Sequence, residues 1–318
     1  MSEVVDTIMI GAGPSALAAA VYTTREDIDT VLYEKGVIGG LAAITDMVDN
    51  YPGFPDGIEG MKLADQLQKQ AVRFGAKIEF GEASGITIDD AGVKTIIMDG
   101  QPVQAKTVLI ATGSDYNKLG IPGEAEYYGR GVHYCATCDG AFYRDKTLVV
   151  VGGGNSAVQE AIFLTRFTTH IDLLVRSTVK ASEVLQQDLQ KFVDDGKITV
   201  HLGVTPTEII ATETKVTTVN AKKGDEDVTF ETDGVFVFVG LKPNTQFLKD
   251  SGIELDEQGL IKTDNHLETT MAGVFASGDV RSGATMQIAS AVGEGATAAL
   301  SIREHLDSLR HTEVAPRT

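Results

Sequence analysis

The only two cysteines of this 318-residue chain, Cys135 and Cys138, are separated by two residues and followed directly by Asp139. Two intervening residues let the thiols close a small ring, so the pair can cycle between dithiol and disulfide. A Cys-X-X-Cys arrangement is one of the settings that lower the pKa of a thiol, and the thiolate is the nucleophile of disulfide exchange. Asp139 is placed to hold or deliver the proton that this exchange requires. The stretch therefore predicts a redox-active dithiol.

Two other interpretations of the cysteine pair are weaker. A zinc site usually needs about four ligands, and the sequence has no second Cys-X-X-Cys or His-X-X-X-His pair to complete one. A purely structural disulfide across so short a loop would restrict the unfolded chain little, and it would leave Asp139 without a role. Of the six histidines only His133 is near this stretch, and we expect it to occupy a solvated loop position.

The bulk composition excludes some classes of function. The chain has 45 acidic against 27 basic residues and a net charge of −18, which argues against nucleic-acid binding because that activity needs a basic patch. The sequence has no run of about 18 apolar residues that would predict a membrane span. Its first residues lack the basic region of a secretory signal. Two cysteines of catalytic type suit the reducing cytoplasm. The length allows two domains, and residues 310–318 are expected to form a loose tail.

A first glycine-rich loop has the context of a dinucleotide-binding site. Residues 11–16, Gly-Ala-Gly-Pro-Ser-Ala, follow the apolar run 4–10 and precede a helix predicted for 17–24. In this strand, turn and helix arrangement, the glycines permit a tight turn and a close approach to a pyrophosphate, which the N–H groups of the helix N-terminus bind. Glu34, at the end of the next predicted strand, is expected to bind the ribose hydroxyls.

A second loop repeats this pattern. Residues 152–157, Gly-Gly-Gly-Asn-Ser-Ala, lie between a strand predicted for 148–151 and a helix predicted for 158–166. A third match at 293–298 follows a helical stretch rather than a strand, so we interpret it as helix packing. Two complete strand-loop-helix units predict two nucleotide sites.

The position equivalent to Glu34 in the second unit is Val175, and Arg176 follows it. A missing acid with an adjacent cation favours a cofactor that carries a 2′-phosphate, hence NADPH. Lys180 is a further candidate phosphate contact. Other strands are predicted to end near Gly113, Gly240 and Gly278, and the carboxyl ends of strands are where open α/β sheets bind ligands.

Taken together, these residues resemble the low-molecular-weight thioredoxin reductases over about residues 4–303. The motifs that carry the resemblance are Gly11-Ala-Gly-Pro, Glu34-Lys-Gly, Gly39-Gly40, Asn50-Tyr-Pro-Gly-Phe-Pro, Ala111-Thr-Gly113, Cys135-Ala-Thr-Cys-Asp-Gly140, Gly152-Gly-Gly-Asn-Ser-Ala157, Gly240-Leu-Lys-Pro-Asn and Gly278-Asp279-Val280. The cysteine motif inside the second nucleotide domain is specific to this family, since related flavoprotein disulfide reductases carry their cysteines near the N-terminus.

The resemblance implies an α/β fold of two Rossmann-like, three-layer domains. A discontinuous FAD-binding domain, residues 1–114 and 245–318, would hold an inserted pyridine-nucleotide domain, residues 115–244, that carries the Cys-X-X-Cys. The implied FAD contacts are Gly11, Gly13, Pro14, Ser15, Ala16, Glu34, Lys35, Gly39, Gly40, Leu41, Asn50, Thr112, Gly113, Gly278, Asp279, Met286, Gln287 and Ile288. The corresponding NADPH contacts are Gly152, Gly154, Asn155, Ser156, Ala157, Arg176 and Lys180.

The resemblance also implies an activity. NADPH would reduce FAD, the flavin would reduce the Cys135–Cys138 disulfide, and the dithiol would reduce thioredoxin or a thioredoxin-like protein, with Asp139 as acid and base. Family members are homodimers whose inserted domain rotates, and the hinges here would be 114–117 and 243–246. Asp279 would bind the ribityl chain, and the helix that begins near Gln287 would direct its N-terminus at the isoalloxazine ring.

The sequence departs from the family pattern at the second site. NADPH-dependent members carry His-Arg-Arg and then another Arg, whereas this chain has Val175-Arg-Ser-Thr-Val-Lys180. Near the flavin, Met286 stands where arginine is common and Leu41 where glutamine is common. NADH, ferredoxin or another donor therefore remains an alternative to NADPH, as does a different dithiol partner. A dithiol oxidase and a non-catalytic flavin-binding protein are the more distant alternatives.

Overall fold

The computed structural model describes residues 4–45, 47–48, 50–213 and 215–314. The helices are α1 (Pro14–Arg25), α2 (Gly40–Ala43), α3 (Gly60–Arg73), α4 (Ala136–Asp139), α5 (Asn155–Leu164), α6 (Glu183–Asp194) and α7 (Ile288–Val314). The strands are β1 (Val5–Ile10), β2 (Thr30–Glu34), β3 (Met47–Val48), β4 (Ile58–Glu59), β5 (Lys77–Phe80), β6 (Ala83–Ile88), β7 (Lys94–Met98), β8 (Gln101–Ile110), β9 (Ser114–Tyr116), β10 (Val132–His133), β11 (Thr147–Val151), β12 (His170–Val175), β13 (Ile198–Leu202), β14 (Val204–Ala211), β15 (Val216–Lys223), β16 (Glu226–Glu231), β17 (Gly234–Val237), β18 (Leu241–Pro243) and β19 (Val274–Ala276).

The chain divides into two compact units. The first consists of Met1–Asp115 and Lys242–Thr318, and the second is the continuous segment Tyr116–Leu241. The chain passes from one unit to the other after Asp115 and after Leu241, close to the domain boundaries expected at 114 and 245. None of the helices in the described part of the chain is long and apolar enough to cross a membrane.

The first unit is built on a seven-stranded sheet. Its strand order is β5-β2-β1-β8-β7-β6, and β19 also pairs with β8. The strands β5, β2, β1, β8 and β19 run parallel, whereas β7 and β6 extend the sheet in antiparallel fashion. Two apolar clusters cover its two faces, and α1 and α7 pack together in one of them. Burial of both faces explains why the central parallel strands are nearly all apolar.

The second unit contains a five-stranded parallel sheet in the order β10-β17-β11-β12-β13. Separate apolar clusters again lie on its two faces. A three-stranded antiparallel sheet, β14-β15-β16, belongs to the same unit. Parallel sheets joined by helices in both units confirm the predicted α/β class, with two Rossmann-like domains.

Two expectations about the C-terminal part of the chain have different outcomes. The glycines at 293–298 lie inside α7, as the helix-packing interpretation requires, and a Cβ atom at Gly295 would come within 2.1 Å of the Ser15 carbonyl oxygen on α1. The prediction of a loose tail from residue 310 is wrong for residues 310–314, because α7 continues to Val314. Residues 315–318 lie outside the described residues.

Candidate active site

The redox pair lies at the start of a single helical turn. Cys135 is the N-cap of α4 and Cys138 lies within that turn, and the two form a disulfide with their Cα atoms 5.3 Å apart. The Cys135 sulfur accepts a hydrogen bond from the Cys138 N–H at 3.2 Å. The helical turn therefore brings the sulfurs together and directs a backbone donor at one of them. Both cysteines are partly accessible, and Thr137 between them is exposed.

His133 is the main correction at this site. We expected a solvated loop position, but only 5% of His133 is exposed, because it lies on β10 with its ring stacked on Phe236 at 5.1 Å. Its Nδ1 lies 3.1 Å from the Asp139 Oδ2 atom, and its Nε2 lies 2.7 Å from the Tyr143 hydroxyl. The carboxylate behind the second cysteine is thus held by a buried imidazole, which is held in turn by a buried phenol.

The state of the phenol follows from its surroundings. Burial, together with the negative charges of Asp139 and Asp233, raises the pKa of Tyr143 well above its usual value. Tyr143 therefore keeps its proton at neutral pH, and its hydroxyl can either donate to or accept from Nε2. An ionised carboxylate can only accept a hydrogen bond, so the Nδ1 atom of His133 carries the hydrogen shared with Asp139.

Glu124 forms a second set of hydrogen bonds, which holds the residue next to Cys135. Tyr134, which precedes Cys135, donates its hydroxyl to the buried Glu124 carboxylate at 2.7 Å. Glu124 also accepts the N–H groups of Leu119 and Gly120, each at 2.7 Å. Burial and the bond to Glu124 raise the pKa of Tyr134. Sequence reasoning missed this group, and no local pattern marks a glutamate ten residues before a tyrosine as its partner.

The first glycine loop, in the first unit, has the strained geometry that the motif predicts. Gly11 has φ of +101°, and a Cβ atom there would lie 2.5 Å from the Ala111 carbonyl oxygen. The Glu34 carboxylate lies against this loop and accepts the N–H groups of Ala12 and Gly36, each at 2.8 Å. Glu34 therefore orders the loop, and its remaining lone pairs are available to a ligand.

The helix that follows this loop has an open N-terminus. Gly13 is the N-cap of α1 without a side-chain cap, Pro14 occupies the first turn, and a Cβ atom at Gly13 would meet nothing within 4 Å. Gly40 lies beside it, since a Cβ there would be 3.8 Å from the Gly13 Cα. The Ser15 hydroxyl bonds to the Ser277 hydroxyl at 2.6 Å and so ties the end of β19 to the loop.

Asp279, the acidic residue that follows Gly278 at this site, is largely buried. Burial, reinforced by the charge of Glu294, raises the pKa of Asp279 to about 6. Glu294 accepts the Gly278 N–H at 2.8 Å and pairs with Arg281 at 2.6 Å. Met286 holds a left-handed φ of +56° just before α7, a conformation that methionine rarely adopts.

The other expected FAD contacts lie in the first unit with more varied surroundings. Asn50 donates to the Gln287 side chain at 3.0 Å, next to Ile288, the first residue of α7. The Thr112 hydroxyl is used within the fold, since it donates to the Asn244 carbonyl at 2.8 Å. Lys35 forms an exposed ion pair with Glu82 at 3.6 Å. The rest are Ala16, buried on α1, Gly39, Leu41 at the start of α2, and Gly113 with φ of +66°.

The second glycine loop, in the second unit, repeats the geometry of the first. Gly152 has φ of +144°, and a Cβ atom there would lie 2.3 Å from the Phe238 carbonyl oxygen and 2.7 Å from the Ala157 Cβ. Gly154 is the uncapped N-cap of α5, with nothing within 4 Å of a Cβ. The exposed Ser156 lies in the first turn of that helix. This helix N-terminus is likewise open to an anion.

The segment after β12 folds onto this second loop. The Lys180 N–H donates to the Gly153 carbonyl at 2.6 Å, and the Ser182 N–H donates to the Asn155 side chain at 2.8 Å. Arg176 and Lys180 are both exposed. Asn155 thus has a structural role, whereas the two cations are exposed beside the second glycine loop. Among the described residues, no group of three or more His, Cys, Asp or Glu side chains could hold a metal ion.

Comparison with known proteins agrees with this arrangement. The family model described as "Pyridine nucleotide-disulphide oxidoreductase" matches residues 5–295. The thioredoxin reductase of Bacillus subtilis (strain 168) is 40% identical over 318 residues, covering 98% of each chain. That of Listeria innocua is 41% identical over 312 residues, covering 97% of this chain and 96% of its own. The crystal structure of thioredoxin reductase from Streptococcus pyogenes MGAS5005 superposes with a TM-score of 0.91 at 37% identity, covering 97% of this chain and all of that one.

Proposed function

Because this chain belongs to the pyridine nucleotide-disulphide oxidoreductase family, and within it to the thioredoxin reductases, we propose that it passes electrons from NADPH through FAD to the Cys135–Cys138 disulfide and then to thioredoxin or a thioredoxin-like protein. The observation that carries the proposal is the disulfide at the start of α4 with Asp139 directly behind it. We also propose that the protein acts as a homodimer in the cytoplasm.

The open helix N-termini fit the two cofactors. A diphosphate is stabilised by uncapped N–H groups and by the dipole of the helix that carries them. The N-terminus of α1, with Gly11, Gly13 and Gly40, would hold the diphosphate of FAD, and Glu34 would bind its ribose. The N-terminus of α5, with Gly152 and Gly154, would hold that of the nicotinamide nucleotide. When bound, the two cofactors together supply hydride transfer and a two-electron path to the disulfide.

Arg176 and Lys180 are the residues of this chain that favour NADPH. They are exposed cations at the carboxyl end of β12, and no carboxylate takes the position of Glu34 there. An acid at that position would repel a 2′-phosphate, whereas a cation attracts it. The pair is a smaller clamp than the basic cluster of the family, and lysine is a point charge rather than a bidentate donor. We therefore expect weak affinity with retained preference for NADPH.

The dithiol chemistry follows from the residues of α4. One thiolate attacks the partner disulfide, a mixed disulfide forms, and the leaving partner sulfur takes a proton. The second cysteine thiolate then breaks the mixed disulfide, which restores the Cys135–Cys138 disulfide and releases the reduced partner with two electrons and two protons. Asp139 moves the protons. The N–H of Cys138, directed at the Cys135 sulfur at 3.2 Å, stabilises negative charge on that sulfur.

The test is turnover with NADPH and a bacterial thioredoxin, followed as NADPH oxidation. We expect steady reduction by the wild-type protein and loss of at least about a thousandfold in C135S and in C138S, because either serine removes covalent exchange. Repeating the assay with NADH measures cofactor preference, and turnover with NADH alone would reassign the donor. A wild-type protein that reduces no thioredoxin with either nucleotide, while its flavin is reduced by dithionite, would contradict the proposed function.

A further inference from the structure

His133 is a buried titratable group that the chemistry proposed so far does not use. Its ring contacts Asp139 through Nδ1 at 3.1 Å and Tyr143 through Nε2 at 2.7 Å, and only 6% of its side chain is exposed. The Asp139 side chain, at 18% exposed, is the more accessible end of this chain of hydrogen bonds.

We propose that His133 is the positioning residue of the redox site: its Nδ1–H bond orients the Asp139 carboxylate toward the thiols with which that carboxylate exchanges protons. The inference rests on the proposed function, since it concerns the proton transfer of the same dithiol reaction. Asp139 lies beside both cysteines, because it follows Cys138 in α4 and donates its own N–H to the Cys135 carbonyl at 3.1 Å.

The proton balance of this step closes within the site. When a cysteine thiol becomes the attacking thiolate, its proton passes to the Asp139 carboxylate, whose Oδ2 atom still accepts the Nδ1–H bond of His133. When the partner sulfur leaves, the proton returns from Asp139 to that sulfur. No proton needs to enter or leave the pair during exchange.

The surroundings of the ring suit this role. Phe236 of β17 stacks on one face at 5.1 Å, and the Tyr143 ring meets its edge at 5.4 Å, so the ring cannot swing away from Asp139. The charged group that contacts the ring directly is Asp139. Asp233 and Lys146 act on its partner Tyr143, and the Lys146 ammonium lies 5.4 Å from the centre of the Tyr143 ring. The nearest charge is thus the Asp139 carboxylate, which accepts the Nδ1–H bond of the ring.

Two isosteric substitutions separate the hydrogen bonds of His133. In His133→Asn the amide nitrogen replaces Nδ1, so the bond to Asp139 is kept without a titrating group. In His133→Gln the amide reaches the position of Nε2, so the bond to Tyr143 is kept and Asp139 loses its donor. The control is His201→Asn, which removes another His–Asp pair of the same unit, with Nε2 2.7 Å from Asp172 Oδ1, on strands β13 and β12 outside the redox site.

The first readout needs neither nucleotide nor thioredoxin. After reduction of the disulfide, the rate of thiol alkylation by iodoacetamide is measured against pH. In H133Q the full charge of Asp139 faces the thiols and disfavours the thiolate, so alkylation at neutral pH should be about threefold to tenfold slower than in wild type. H133N and H201N should match wild type. An H133Q profile identical to that of wild type, or an equal loss in H201N, would overturn the positioning role.

The second readout is thioredoxin turnover at neutral pH. H133Q should lose about tenfold in kcat with little change in the KM for thioredoxin, because its Asp139 carboxylate is no longer oriented for proton exchange with the thiols. H133N, which keeps the bond to Asp139, and H201N should retain turnover. A loss in H133N equal to that in H133Q would overturn the positioning role. If wild type itself fails to reduce thioredoxin, the proposed function fails, and the alkylation profiles still decide the role of His133.

Discussion

Two carboxyl groups of the first unit show how residue surroundings set the direction of a pH effect. Burial, with the charge of Glu294 added, raises the pKa of Asp279 to about 6. Burial acts the same way on Asp256, but hydrogen bonds from Ser282 at 2.7 Å and from backbone N–H groups outweigh it, so the pKa of that carboxyl is lowered. Between about pH 4 and pH 6 the folded state therefore holds a proton on Asp279 while Asp256 is charged.

The first prediction concerns the sign of these effects on stability. The native state binds the Asp279 proton more tightly than the unfolded state, so this group contributes stability at low pH that is lost as the pH rises from about 4 through about 6. The difference is worth roughly 3 kcal/mol. D279N should therefore raise the free energy of unfolding of flavin-free protein by up to that amount above pH 6, with the gain vanishing toward pH 4.

The matched control, D256N, should show the opposite sign. It removes a carboxylate that accepts several hydrogen bonds and should lower the free energy of unfolding by about 1 kcal/mol near neutral pH, an effect that fades in acid. Urea unfolding at several pH values measures both. Equal destabilisation by D279N at every pH would contradict the account.

Individual residues of the site were predictable only where their role is local. The two cysteines and Asp139 are adjacent in sequence, so their chemistry can be read from spacing. His133 was misplaced because its burial depends on Phe236, which lies on β17 about a hundred residues later and stacks on it through sheet pairing. No pattern around His133 carries that contact. The hydrogen bond between His133 and Tyr143 could not be predicted either, because it depends on how α4 and the turn after it fold.

At the scale of elements, the contact between α1 and α7 depends on one small residue. Gly295 is buried, and a Cβ atom there would lie 2.1 Å from the Ser15 carbonyl oxygen, which is backbone and cannot rotate away. Gly293, two residues earlier on the same helix, is exposed, and a Cβ there would meet nothing within 4 Å. The close approach holds Ser15 at the glycine loop and at its partner Ser277.

The second prediction follows from this pair of glycines. G295A should lower the free energy of unfolding by about 1–3 kcal/mol, since α7 must move away from α1, and it should weaken FAD binding. G293A should be neutral or stabilise by up to about 1 kcal/mol, because alanine is the better helix former. Chemical denaturation and flavin titration of both variants measure these effects. A G295A protein as stable as G293A would show that the helices do not need this contact.

Elements were predictable to different degrees. Both glycine loops, their helices and the flanking parallel strands lie where the sequence predicts them, because a glycine motif between a buried strand and a helix is a local signal. The antiparallel sheet β14-β15-β16 was not predicted. Strands such as β16 alternate polar residues with few apolar ones, and they are stabilised by pairing with a neighbour rather than by their own pattern. The extension of α7 to Val314 was missed for a similar reason, since Ile302 and Leu306 are buried in the core of the first unit.

At the scale of the whole molecule, the chain combines two Rossmann-like units, of which the second carries the redox pair. Its net charge of −18 favours solubility and disfavours approach of acidic surfaces. A chain with only one of these units would lack either the proposed flavin site or the dithiol. The central claim is therefore that electrons travel from NADPH to a bound flavin and leave only through Cys135 and Cys138.

The most direct test is an anaerobic reduction and reoxidation experiment on the flavin. NADPH is added to wild-type protein and to a C135S/C138S variant until the oxidised-flavin absorbance is lost, and oxidised thioredoxin is then mixed in. NADPH should bleach the flavin of both proteins, and thioredoxin should restore the absorbance of wild type alone. Restoration in the serine variant, or flavin that NADPH does not bleach in wild type, would contradict the central claim.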